Sequence, residues 1–159
     1  MTKQIAKIVG INIVAGEAWV GVVECPDVML LKDPLTRLAR AKHLPSADAL
    51  HDFANRFREQ LRRIQPVAVG VANTRRYSGW PYAEAFNRVT LEAAIMLATS
   101  AEEVPFVSVK QEAVFKAIEI PYENFPKRAA EQLGIDPPTN WNNRALAFGA
   151  ALTLAKERC

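Results

Sequence analysis

The fold is decided by residues 5–24, IAKIVGINIVAGEAWVGVVE. Residues 5–13 alternate in character and are rich in β-branched types, as a strand packed on at least one face should be. Val14-Ala15-Gly16-Glu17 suits a tight turn, and residues 19–24 (WVGVVE) read as a second strand, so the two form a hairpin. Pro26 and Asp27 break the second strand, and residues 28–31 begin a third extended segment. Residues 33–44 either prolong that segment or form a long loop.

Beyond the hairpin the pattern changes to strand–helix alternation. Ser46, after Pro45, is a good helix N-cap, and Leu50, Phe53, Phe57, Leu61 and Ile64 recur at steps of three and four, a single buried stripe. Pro66 stops that helix because its ring clashes with a continuing turn. Residues 67–72 (VAVGVA) form a short, wholly apolar run, the pattern of a central strand covered on both faces. A helix over 81–99 and a strand over 104–109 follow, then short helices over 111–118 and 126–133, the second ended by Gly134. Asn140 caps a last helix running to about Lys156. Three antiparallel strands followed by alternating helices and strands predict an α/β domain: a five-stranded mixed sheet, its last two strands parallel, with helices on both faces. Residues 1–159 read as one domain, without repeat, linker or low-complexity tract.

Composition agrees. The chain has 159 residues, 50% hydrophobic and 23% charged, with a net charge of +3, which excludes collagen, low-complexity disorder and small stapled scaffolds. Two cysteines, Cys25 and the terminal Cys159 on an end expected to fray, make no disulfide framework. The apolar run over 8–15 is short, interrupted by Gly10 and Asn12, and lacks a cleavage site, so no secretory signal is expected. The run over 145–155 falls well below the ~20 residues that cross a bilayer. The expectation is a cytoplasmic protein with no membrane partner.

The element order resembles the ribonuclease H-like superfamily, and particular residues resemble its RuvC-type, Holliday-junction-resolvase branch. Val9-Gly10-Ile11-Asn12 is similar to the G-I-D start of that family's first strand, and residues 67–71 stand where the family has an apolar strand holding a glutamate. Asn143-Arg144-Ala145-Leu146-Ala147-Phe148 resembles its D-A-L-A-x-A helix. Residues 46–118 are also similar to small bacterial proteins of unknown function in the same superfamily. These share an S-A-x-x-L helix start, a basic segment (here Arg76-Tyr77-Ser78-Gly79) and an L-E-A-A-I core (here 91–95).

The resemblance implies two-metal phosphodiester hydrolysis, with carboxylates on the first strand, the fourth strand and the last helix holding Mg²⁺. Here the first-strand position is Asn12 and the fourth-strand position is Gly70. The last-helix positions fall at Trp141 and Arg144, with Asn142 and Asn143 between them, and residues 139–153 contain no Asp or Glu. An amide carries no charge, glycine has no ligand atom, and Arg144 reverses the sign. The expectation is therefore a degenerate nuclease site at Asn12, Gly70, Asn142, Asn143 and Arg144, with no metal, no cofactor and no catalytic residue. Two readings of that site stay open. The asparagines satisfy backbone groups while Arg144 fills the space, or a pocket remains that binds an anion. Mg²⁺ enters only if other acids, such as Glu17, Glu24, Glu84 or Glu92, rebuild a metal site.

Charge is unevenly spread: residues 32–76 carry ten Lys/Arg against four Asp/Glu. This is either a footprint for a polyanion or a solvated helix face, on which Glu59 can pair with Arg62 or Arg63. The segment Asn73-Thr74-Arg75-Arg76-Tyr77-Ser78-Gly79-Trp80-Pro81-Tyr82 is more specific. Two arginines can neutralise phosphates while Tyr77, Trp80 and Tyr82 offer faces to bases, although the same residue types also suit a lid or a subunit contact. His43 and His51 lack companions at ligand spacing, and no phosphate-loop, dinucleotide or nucleophile-elbow motif is present.

These features predict a RuvC-like protein without nuclease activity, binding nucleic acid or another phosphate-bearing partner through Arg75, Arg76, Tyr77, Trp80 and Arg144. The alternatives are a divalent-metal-dependent nuclease with a relocated site, or a structural interaction component, a homodimer as the resemblance implies.

Overall fold

The computed structural model describes residues 4–31, 35–73, 79–120 and 124–159. Strands β1 (Ala6–Val14) and β2 (Glu17–Cys25) form the expected hairpin, turned by Ala15 and Gly16, both at positive φ. The short strands β3 (Met29–Leu31) and β4 (Arg37–Ala39) both pair antiparallel with β2. Helix α1 (Ser46–Ile64) leads to β5 (Ala68–Asn73), and α2 (Tyr82–Ala101) leads to β6 (Phe106–Lys110). Helices α3 (Gln111–Ile118), α4 (Phe125–Leu133) and α5 (Trp141–Arg158) complete the chain. The sheet order is β3-β2-β1-β5-β6, with β5 parallel to both β1 and β6.

Among the described residues the sheet has six strands rather than five, because the ambiguous stretch after the third strand returns to β2. Leu31 pairs with Val22 and Arg37 with Trp19, so the register between the two short strands is offset by three residues. Val20 and Gly21 therefore lie in neither ladder. Thr36 O accepts the Val20 N–H at 2.9 Å, leaving the Val20 carbonyl to be satisfied from elsewhere.

Alternation along the strands divides the interior in two. Val9, Ile11 and Ile13 of β1, Val20 and Val22 of β2, and Val69 and Val71 of β5 pack under α1 and α2. Ile8, Val23, Ala68, Ala72 and Val109 pack against α3, α4 and α5 on the opposite face. Phe53, Phe57, Leu61 and Ile64 form the buried stripe of α1 as the spacing predicts, and Gln65 ends it in the left-handed conformation before Pro66. On the outer side of α1, Arg58 and Arg62 both bind Glu102 at the end of α2, at 2.9 and 2.8 Å. The intrahelical partner Glu59 is thus passed over for a cross-helix one. Hydrogen bonds from Arg62 and Arg58 hold the Glu102 carboxyl below the ordinary glutamate range.

Helix α5 is buried nearly all round, and its small residues explain why. A Cβ on Gly10 would lie 1.8 Å from Ala147 O, and one on Gly21 would lie 2.7 Å from Phe148 N, so the helix backbone lies directly on β1 and β2. The end of α5 is also tied covalently. Cys25 and Cys159 form a disulfide with a Cα–Cα distance of 6.2 Å, correcting the expectation of two separate thiols. The sequence places Cys159 on an end that should fray. The packing of α5 across β2 brings that end back to Cys25. No helix among the described residues is long and apolar enough to cross a membrane.

Candidate functional site

The parallel strands β1 and β5 run side by side, Gly10 opposite Gly70 and Ile11 opposite Val71. By the period of two, Asn12 and Gly70 both point to the face covered by α5. The structure unites only part of the sequence-derived site there. Asn12, 6% exposed, donates from Nδ2 to Asn143 O at 3.0 Å, joining the carboxyl end of β1 to the first turn of α5. Arg144 is 1% exposed, donates from Nε to Val20 O at 2.8 Å, and places its guanidinium carbon 5.0 Å above the Phe148 ring. It thus supplies the carbonyl left outside both edge ladders. Asn142 is exposed on the outer side of α5. Gly70 lies farther along the helix, where a Cβ would meet Leu154 Cδ1 at 2.7 Å and Val109 Cγ2 at 3.2 Å.

These residues do not fit a pair of divalent metals. Mg²⁺ needs hard anionic oxygens, whereas this end of the sheet holds an amide committed as a donor, a buried guanidinium and a space filled by leucine. Among the described residues no group of three or more His, Cys, Asp or Glu stands together to hold a metal ion. Of the acids considered as replacements, Glu17 pairs with Arg37 at 3.6 Å and Glu84 lines a different cleft. Asn12 and Arg144 each donate to a backbone carbonyl, whereas Asn142 is exposed and Asn143 contributes its own main-chain oxygen. Arg144, facing Val20 and Phe148 rather than solvent, is not presented to a ligand.

Arg75, Arg76 and Tyr77 lie outside the described residues. Trp80 is half-buried and lines a cavity of about 410 Å³ between the β1–β2 turn and the start of α2, together with Glu84 and Arg88. A second hollow of about 310 Å³ on the other side of that turn is lined by Arg40 and Lys42. His51 exchanges a hydrogen bond with Asn55 on an exposed turn of α1, and His43 is exposed.

Sequence reasoning missed Arg88. Its guanidinium, 6% exposed, donates from Nη1 to Ile13 O at 2.5 Å and from Nη2 to Ala72 O at 2.7 Å, clamping the carboxyl ends of β1 and β5. A signal was available: Arg88, Leu91, Ile95 and Ala98 follow one another at steps of three and four, so a cation occupies the inward stripe of α2.

No protein-family model and no curated protein matches the chain. Among solved structures it is similar to RuvC of T. thermophilus in complex with Holliday junction substrate, at 21% identity and a TM-score of 0.77, covering 96% of this chain and 95% of that one. A structure of Thermus thermophilus RuvC gives a TM-score of 0.76 at the same identity and coverage. The yeast mitochondrial Holliday junction resolvase Ydc2 gives 0.64 at 11% identity, covering 96% of this chain and 80% of that one. Strand order, helix placement and near-complete overlap together establish that the chain has the ribonuclease H-like fold in the form taken by RuvC-type resolvases.

Proposed function

We propose that this protein binds nucleic acid without cutting it. One observation carries the reading: at the end of β1 where a resolvase-like fold would gather metal ions, Asn12 is bonded to Asn143 and Arg144 is buried beside it. Electrostatics at the same end of the sheet supports a polyanionic partner. Arg40 and Lys42 line the hollow beside the β1–β2 turn, Lys110 ends β6, and Arg75 and Arg76 follow β5 in sequence. One structural neighbour was solved with a Holliday junction, which makes branched DNA the first substrate to test.

Fluorescence anisotropy with labelled junction, duplex and single-stranded oligonucleotides at low salt is expected to give salt-sensitive binding. Replacing Arg75 and Arg76 together by alanine should weaken binding to each, and lower the slope of log affinity against log salt by about two, one per released phosphate contact. Incubation with Mg²⁺ or Mn²⁺ should leave all of them uncut. Binding indifferent to salt or to the double substitution would refute the interface. Cleavage abolished by Glu17→Gln or Glu84→Gln would instead establish a rebuilt metal site.

A specific feature of α2 favours a second copy as an additional partner. Tyr82, Phe86, Val89, Ala93 and Met96 recur at steps of four and three and are all exposed, Tyr82 by 80%, with Leu97 beside them at 71%. A seam at this spacing is self-complementary, since the same knobs and holes serve both helices. Light scattering of the native chain is expected to give twice the mass of one chain. Val89→Glu, which sets a charge at the centre of the seam, should give a single-chain mass with unchanged circular dichroism. A native chain that scatters as one copy at micromolar concentration rules the seam out.

A further inference from the structure

The carboxyl ends of β1 and β5 enclose a cation, Arg88, that has no counter-ion among the described residues. The two bonds from Arg88 go to neutral carbonyls, and its Nε, also buried, has no partner among the described residues. A guanidinium withdrawn from water is costly to hold unless an anion joins it, and three of its five N–H groups lie outside those two bonds. A second cation stands close by: Arg40 donates from Nη2 to Asn87 Oδ1 at 2.9 Å, one residue before Arg88 on α2.

Arg88 lines the cavity of about 410 Å³, with Ile13 and Ala15 on one wall and Trp80, Ala83 and Glu84 on the other. Helix α2 begins there, after Pro81, without a side-chain cap. Pro81 O accepts the N–H groups of Glu84 and Ala85 at 3.1 Å, while those of Tyr82 and Ala83 precede the first intrahelical bond. The positive end of the helix therefore opens on the space that Arg88 borders. An aromatic ring, a helix amino terminus and a guanidinium bonded only to neutral carbonyls among the described residues, all around one cleft, match a phosphate joined to a flat base. The volume is that of an ordinary small-ligand pocket.

We propose that this cleft binds a nucleotide, its phosphate at the α2 amino terminus beside Arg88 and its base against Trp80. Either a free mononucleotide or the phosphorylated end of a strand carries this chemistry, so the site stands whether or not the protein binds junctions or duplexes. Glu84, on the rim, opposes the phosphate and limits affinity.

Calorimetric titration of the full chain with adenosine 5′-monophosphate is expected to show saturable binding that adenosine lacks. Trp80→Ala should weaken it about tenfold, the equivalent of one stacked base. Glu84→Gln should tighten it, and Arg88→Met, checked for folding by circular dichroism, should abolish it. An oligonucleotide with a 5′-phosphate that outcompetes its hydroxyl-ended counterpart identifies a strand end as the source. Equal competition by the two, with the mononucleotide still bound, identifies the free nucleotide. No heat with the mononucleotide at millimolar concentration, or unchanged affinity in both Trp80→Ala and Glu84→Gln, overturns the site. A protein that binds junctions but not the mononucleotide fails here and leaves the nucleic-acid reading intact.

Discussion

Gly70→Glu is expected to destabilise the protein by about 4 kcal/mol or more and to create no affinity for Mg²⁺, although it places an acid where the sequence resemblance implies one. The space is already filled: a Cβ at 70 would meet Leu154 Cδ1 at 2.7 Å and Val109 Cγ2 at 3.2 Å. Overpacking of this kind costs roughly 1–3 kcal/mol. The carboxyl group would add the larger penalty, because Ala68, Ala72, Val109 and Leu154 offer it no hydrogen-bond donor from their side chains. Burial would also keep the acid protonated, so it would carry no charge with which to attract a cation. Urea denaturation gives the loss of stability, and melting with and without Mg²⁺ gives the metal affinity. A variant as stable as the native chain, or one raised in melting temperature by Mg²⁺, would mean that Leu154 yields and the fold can hold an acid at this position.

Gly10→Ala should be the most damaging single methyl in the molecule. The added carbon would lie 1.8 Å from Ala147 O and 2.8 Å from Ala151 N. Both are backbone atoms of α5, so no rotamer change relieves the contact and the whole helix must lift from β1. That movement disturbs the Asn12–Asn143 and Arg144–Val20 bonds and the packing of Phe148 at Gly21. A loss of about 3 kcal/mol or more follows, which for a chain of this length lowers the melting temperature by about 6–12 °C. Calorimetry on Gly10→Ala beside Gly16→Ala makes the comparison sharp. A Cβ at Gly16 meets only the far end of Arg40, at 3.6 Å, although its φ of +76° adds a backbone strain that position 10 lacks. Equal melting temperatures for Gly10→Ala and the native chain would contradict the close helix–strand approach.

At both Gly70 and Gly10 the obstacle to a larger side chain is packing against α5. At position 70 the side chain of Leu154 already fills the space, so an added acid meets a filled core. At position 12 the side chain also serves the seating of α5. An aspartate there would present only acceptors, whereas the amide donates to Asn143 O and fastens α5 to the strand end.

The sequence alone determined the order of the elements other than β4, the buried stripe of α1 and the parallel placement of residues 67–72. Each is a local property: residue type, spacing or a breaker such as Pro66. The tertiary structure decided what those residues do. The return of residues 37–39 to β2 offset the edge register and left the Val20 carbonyl outside both ladders, and only that vacancy made Arg144 a structural donor from 124 residues away. The partner of Cys25, the filling of the space at Gly70 by Leu154, and the position of Arg88 at the ends of β1 and β5 were settled in the same way. A polar side chain serves a ligand or a carbonyl according to which groups the fold desolvates beside it, and those neighbours are set by contacts across the whole chain that periodicity does not encode.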